Sequence, residues 1–201
     1  LSPTRFLDSI GLLSERFIGC HGCTLDERDC SIIKERGASL VHVPVSNLKL
    51  AVGSIFPHGP VGQNRIPFCF GTDGCASNNH LDVIETMKFG ALLAKFSTHD
   101  PTMMPAHEAF GRATKTAARI FRLGDWEIKA GNSPDIILVD LARPELTPNF
   151  DLHSNIVYAS NGSIVDTVIC MGNIGMENRV VAGEEEILQN AAKTAKALAE
   201  R

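Results

Sequence analysis

The chain has 201 residues, 44% of them hydrophobic and 21% charged, which is enough apolar mass for one large domain or one and a half small ones and argues against disorder. Its 19 Lys and Arg against 23 Asp and Glu leave a formal charge of -4, and no basic run is long enough to track phosphates, which excludes an electrostatic nucleic-acid binder. No apolar stretch approaches the roughly 20 residues that span a bilayer, and the first residues lack the basic flank and apolar centre of a signal peptide.

In chain order, Ser2 as N-cap, Pro3 in the first turn and Gly11 at the end predict a short first helix. A strand-length apolar run follows over Arg16 to His21. Thr24 and Glu27 then form a capping box for a helix that stops at Gly37. A second strand is expected from Ser39 to Ser46, a Gly- and Pro-containing loop over 53 to 66, and a third strand from Pro67 to Asp73. These strands carry apolar residues on both parities and the first two are joined by a helix, the pattern of parallel strands in an α/β layer. Helices are predicted over 81 to 98, with Leu81, Ile84, Met87, Leu92 and Leu93 on its apolar face, and over 105 to 123.

Beyond Gly124 the pattern turns to β. A strand pair is expected over 127 to 141, broken at Gly131 to Pro134, then short strands over 164 to 182 with turns at Gly172 and Gly175. The end is an amphipathic helix from Gly183 to Arg201, with an acidic first turn and Ile187, Leu188, Ala191, Ala195 and Leu198 on one face. Two domains are expected, 1–124 and 125–201.

The polar residues at the strand ends could carry chemistry, because the C-terminal edge of a parallel sheet is where sites are built. Asp73 stands between Gly71 and Gly74 after a buried strand, where a carboxylate is costly unless paired or ligating a metal; the bland alternative is a loop cap. His21 ends a similar strand and could ligate, donate or shuttle a proton, or sit satisfied in the core. His42 lies mid-strand and reads as structural, while His58, His80, His99, His107 and His153 read as solvated. The six cysteines read as reduced thiols of a cytoplasmic protein. Cys20, Cys23 and Cys30 leave open a small zinc-binding module.

The string Gly71-Thr-Asp-Gly74 followed by Ser77-Asn-Asn79, with Val45-Ser-Asn-Leu-Lys-Leu50 and Cys20-His-Gly22 upstream, resembles the amidohydrolase superfamily. More narrowly it resembles the branch of methylthioadenosine/S-adenosylhomocysteine deaminases and triazine and ethylammeline chlorohydrolases. Leu138-Val-Asp-Leu141 and His153 to Tyr158 are similar to that branch's C-terminal β-region. The resemblance implies an α/β fold: the last three strands and helices of a (β/α)8 metal-dependent hydrolase barrel, then part of a small β-sandwich and a terminal helix. It implies one zinc or iron ion held by Asp73, which also accepts a proton from the activated water. It implies that His21 stabilises the attacking water and the tetrahedral centre, and that Asn47 supports the substrate pocket. The substrate class it implies is a small N-heterocyclic ring, led by adenosine-like amines, with triazine dechlorination as the alternative.

The family's metal site also takes an H-x-H pair and a further histidine, and no H-x-H occurs in this sequence. The chain alone is therefore expected neither to retain the metal nor to turn over substrate, because a metal site needs three or four placed donors. A second chain with the missing half would supply the absent donors, and self-association as a homo-oligomer would bury the open sheet edges. The reading from another class is a non-catalytic half-barrel that serves as an interaction or oligomer-forming protein.

Overall fold

The computed structural model describes residues 1–124 and 127–200; Arg201, the last residue of the expected terminal helix, lies outside them. The contacts divide the chain into two units, Leu1–Glu127 with Pro144–Gly162, and Ile128–Arg143 with Ser163–Arg201.

The first unit is built on three parallel strands in the order β1 (Ile18–Cys20), β2 (Ser39–His42), β3 (Phe68–Phe70). The register sets Cys20 beside Val41, and Val41 beside Cys69, so the three strands end at one level. Helix α1 (Pro3–Ser9) starts as its sequence predicts, with the Ser2 hydroxyl accepting from the Arg5 N–H. Helix α2 (Glu27–Glu35) is the crossover from β1 to β2. Its capping box is not Thr24 and Glu27 but Asp26 and Asp29: each side chain accepts from the other's backbone N–H. Asp29 is almost fully buried and is also bonded by Ser2 Oγ and by Arg5 Nε at 3.1 Å, which ties α1 to α2 and outcompetes the local signal at Thr24.

The second strand stops at His42, four residues earlier than expected. Pro44, with its preset φ, opens helix α3 (Pro44–Lys49) instead. The loop expected over 53–66 contains a further helix, α4 (His58–Gln63). After β3 come a short turn of helix, α5 (Cys75–Asn78), and α6 (Val83–Thr98), capped by Asp82. The face α6 buries is Thr86, Met87, Gly90, Ala91 and Ala94; Leu81 and Leu92 are exposed, contrary to the sequence pattern. The sheet comes close enough to α6 to need small residues there, and this overrides hydrophobicity. Helices α7 (Ala106–Gly111) and α8 (Ala117–Ile120) are joined by a π-helical turn over Arg112–Thr116 into one run. Ala117 and Ile120 pack on Val41, Val43 and Cys69, so the sheet is covered on this face. His42, Phe68 and Phe70 occupy the other parity, against Phe56 and His58. Covering both faces is what a parallel sheet requires.

The segment 144–162 lies beyond the expected division at 124, yet it packs in the first unit. Its residues His153 to Tyr158, set by resemblance in a β-region, are instead helical: α9 (Leu152–Ser154) runs into a π turn over Asn155–Ala159. Ile156 and Val157 are buried, and the Asp82 carboxylate that caps α6 accepts the Gly162 N–H at 2.6 Å.

The second unit is an antiparallel sheet in the order β4 (Ile136–Val139), β5 (Val165–Cys170), β6 (Asn173–Met176). Of the strand pair expected over 127–141 only the later member forms, and Gly175, expected in a turn, lies inside β6. The β5–β6 hairpin turns on Met171 and Gly172, both with positive φ (49° and 81°), the conformation of a type I′ turn. Methionine is poorly suited to that conformation and asparagine well suited. Met171→Asn is expected to stabilise this unit by up to about 1 kcal/mol, read as a higher thermal midpoint; an unchanged or lower midpoint refutes it. The terminal helix α10 (Glu184–Ala199) forms with its acidic first turn, but none of its residues is buried, so its apolar face has no cover within the described residues.

Candidate functional site

The two residues singled out at strand ends stand at the same edge of the sheet. His21 follows β1 directly, and its N–H is held by the Val41 carbonyl at 2.9 Å, which continues the parallel ladder one residue past the strand. Asp73 follows β3 after Gly71 and Thr72. Both adopt a left-handed backbone, φ 67° at His21 and φ 63° at Asp73. Aspartate and histidine are among the non-glycine residues that enter that region most readily, and here it turns the chain at each strand end. The Phe56 ring supports the turn from beneath: a Cβ at Gly22 would come within 3.1 Å of it.

Helix α3 holds both side chains through two consecutive residues. The Ser46 hydroxyl, fully buried, donates to Asp73 Oδ2 at 2.8 Å, while the Gly74 N–H donates to Oδ1 at 2.8 Å. Asn47, also buried, places Oδ1 2.7 Å from His21 Nδ1. The hydrogen bond from Ser46, with those from Gly74 and Ser77, holds the Asp73 carboxyl below its ordinary range, and a charge on His21 adds a smaller pull. Asp73 is thus an exposed, ionised carboxylate, and His21 a half-buried imidazole whose Nε2 has no protein partner among the described residues.

All three sequence-derived site residues, His21, Asn47 and Asp73, are therefore brought together by strand ends and one helix. Ser46 was missed. Its traces in the sequence were its place after Pro44 and inside the Val45-Ser-Asn string, and neither linked it to Asp73. A carboxylate and an imidazole suit zinc or another borderline divalent ion. Among the described residues no three His, Cys, Asp or Glu side chains gather as a metal site, so Asp73 fits such an ion as one member of a donor set, with His21 beside it.

The cysteines do not form a centre of their own. Cys20 is exposed while Cys23 and Cys30 are buried, and burial, helped by the Asp29 charge, pushes the Cys30 thiol up to about 11, away from the thiolate a zinc ion needs. His42 is buried as expected, but His58, expected in solvent, is only 4% exposed. No helix of the described residues is long and apolar enough to cross a membrane.

The chain is 45% identical over 199 residues to a 5'-deoxyadenosine deaminase of Methanoregula boonei, covering 99% of this chain and 45% of that protein. It is 42% identical to a 5-methylthioadenosine/S-adenosylhomocysteine deaminase of Archaeoglobus fulgidus, over 96% of this chain and 46% of the relative. Among solved structures, a zinc-bound adenosine deaminase of Xanthomonas campestris superposes with a TM-score of 0.93 at 32% identity, over 99% of this chain and 46% of that one. A zinc-bound atrazine chlorohydrolase of Arthrobacter aurescens shares the fold, with a TM-score of 0.84 at 23% identity over 96% of this chain and 44% of that one. The chain spans about half the length of the curated relatives it matches. The amidohydrolase family profile matches residues 1–175, which takes in the whole parallel sheet and its edge of His21, Asn47 and Asp73, and the chain belongs to the amidohydrolase family.

Proposed function

We propose that this chain supplies the C-terminal part of a metal-dependent hydrolase that deaminates an adenosine-like ring. Its first unit would contribute the last three strands of a (β/α)8 barrel and its second unit part of a small β-sandwich. The observation that carries this reading is the pair of aimed residues, Asp73 and His21, held at the C-terminal edge of a parallel sheet by Ser46 and Asn47. Deaminase names among relatives above 40% identity favour an amine over a halide as the leaving group.

In this reading Asp73 holds the divalent ion, zinc or iron, through its carboxylate and takes a proton from the attacking water. The ion, when bound, supplies Lewis-acid activation of that water and of the ring. His21 orients the water as the ring carbon becomes tetrahedral, and the proton taken by Asp73 passes to the exocyclic amine, which leaves as ammonia. Asn47 supports the pocket by holding His21, and its buried Nδ2 has no partner among the described residues. The remaining metal donors come from residues outside this chain, on a second chain or on the rest of a longer one. Six free thiols fit a cytoplasmic setting.

The test is ammonia release from 5'-deoxyadenosine and S-adenosylhomocysteine with zinc or iron present. The chain is assayed alone and co-expressed with the other half of the Methanoregula relative. Release is expected only from the pair, and Asp73→Asn is expected to abolish it. Enzymatic release by the chain alone, or release that survives Asp73→Asn, overturns the reading. Chloride release from a triazine without ammonia release from either amine selects the dechlorinating alternative. A stable metal-free oligomer indifferent to Asp73→Asn selects the non-catalytic one.

A further inference from the structure

Every histidine in a folded chain carries its neutral proton on one of two nitrogens, and the choice decides what the other nitrogen can do. At His21 the choice is made by Asn47. Its Oδ1 lies 2.7 Å from Nδ1, the short end of the range for an N–H···O bond, and an amide oxygen can only accept. We infer that Asn47 is a positioning residue that locks His21 as the Nδ1–H tautomer, so that Nε2 presents a lone pair at the edge where Asp73 stands. The role this gives Nε2 in catalysis rests on the deaminase reading above; the tautomer itself does not.

Three features make the lock rigid. Asn47 is 7% exposed and sits in the first turns of α3, with its own N–H bonded to the Val43 carbonyl at 3.1 Å. The His21 backbone is pinned to Val41, the last residue but one of the strand that leads into α3. Ser46, next to Asn47, fixes Asp73 through its hydroxyl. One turn of helix therefore sets the aim of His21 and of Asp73 together, and the direction of each hydrogen bond is determined: Ser46 donates to a carboxylate, Asn47 accepts from an imidazole. A lone pair on Nε2 can accept a hydrogen bond from the attacking water or from a protonated leaving group; an Nε2–H could do neither. The unpartnered Asn47 Nδ2 is consistent with an amide whose orientation is dictated by its oxygen.

The experiment is nitrogen-detected NMR of the histidine rings in this chain, without metal, at about pH 8.5, above the ordinary histidine range. Of the seven histidines the His21 signals are assigned by their loss in His21→Gln. The Nδ1–H form is expected to dominate about tenfold, the population one buried hydrogen bond maintains. Asn47→Asp keeps an acceptor and is expected to keep that form. Asn47→Ala is expected to revert His21 to a majority of Nε2–H while the signals of the core residues His42 and His58 stay in place, showing that the fold is intact. A wild-type ring already in the Nε2–H form, or an Asn47→Ala ring unchanged from wild type, overturns the inference. In the co-expressed pair, Asn47→Ala is then expected to lower turnover about a hundredfold, the worth of one misplaced proton-transfer group. A confirmed tautomer in a pair that releases no ammonia would leave this inference standing and remove the deaminase reading.

Discussion

Acidification from about pH 7 to about pH 4 is expected to destabilise the first unit by several kcal/mol. The cause is a pair of buried histidines. His42 and His58 have ring centroids 5.1 Å apart, and none of their four ring nitrogens has a hydrogen-bond partner. His42 stacks on Phe56 at 4.4 Å and is flanked by Phe68 and Phe70. His58 meets Phe56 and Phe68, and the Arg112 guanidinium lies over the Phe68 ring at 3.8 Å from its centroid. Burial lowers His58 from 6.5 to about 4, with a further push from the Arg112 charge, and lowers His42 well below its ordinary value, with a further push from His58.

A folded-state value below the unfolded one means that the folded protein binds fewer protons. The stability this represents is complete above 6.5, is lost as pH falls from 6.5 towards about 4, and changes no further below the folded value. For His58 alone the difference corresponds to about 3 kcal/mol at about 1.4 kcal/mol per unit, and His42 adds to it. The lowered carboxylates act in the same direction but lower down. Asp73 and Asp100 contribute stability that is present above 3.8 and is lost only as pH falls through that value. The interval between the two windows therefore isolates the histidines. Urea unfolding at pH 7 and pH 4.5 measures the loss, and the double variant His42→Phe with His58→Phe is expected to flatten it. The same pH dependence in the double variant would assign the acid sensitivity elsewhere. Because Phe56 also supports the Gly22 turn, opening this cluster is expected to release His21 along with the core.

One chemical change at two glycines of the first unit is expected to have opposite signs. Gly90, midway along α6, faces the Phe70 ring so closely that a Cβ would lie 2.2 Å from Cε1 and 2.8 Å from Cζ. Phe70 is itself buried between His42 and Phe68, with ring centroids at 6.0 and 6.2 Å, so it cannot swing clear. Replacing glycine in a helix interior gains about 1 kcal/mol of propensity, but forcing apart a packed core costs typically 1–3 kcal/mol. Gly90→Ala is expected to be net destabilising and Gly90→Val more so. Phe70 ends β3, three residues before Asp73, so the displacement would also reach the site. Gly111 closes α7 with nothing within 4 Å of its would-be Cβ, and Gly111→Ala is expected to stabilise by up to about 1 kcal/mol. Thermal midpoints of the two alanine variants decide the matter; a Gly90→Ala midpoint at or above wild type would show that the sheet and α6 can separate at little cost.

The elements whose signals are local were legible from the chain. Ser2, Pro3 and Gly11 bounded α1, runs apolar on both parities located the parallel strands, and the acidic first turn of α10 marked its start. The errors share one cause, a local signal outweighed by packing. Thr24 lost the cap of α2 to Asp26 because Asp29 is also bonded by Ser2 and Arg5. The leucines of α6 lost its buried face to glycine and alanines because the strand beneath carries Phe70. His58, polar and flanked by prolines and glycines, looked like a loop residue and is a core residue because α4 folds it against Phe56 and Phe68.

The same division holds at the site. The sequence by itself determined which groups stand at the edge: a buried strand that runs into a histidine or an aspartate beside glycine must deliver that side chain to the strand's C-terminal end, because the ladder stops there. Only the tertiary structure decided what those groups do for one another. Asn47 is 26 residues from His21 and Ser46 is 27 from Asp73, so no local pattern links them. They meet because parallel register places three strand ends at one level and the proline after β2 turns the chain into a helix between them. Hydrogen-bond direction, and with it the protonation pattern of the site, is set by that through-space geometry.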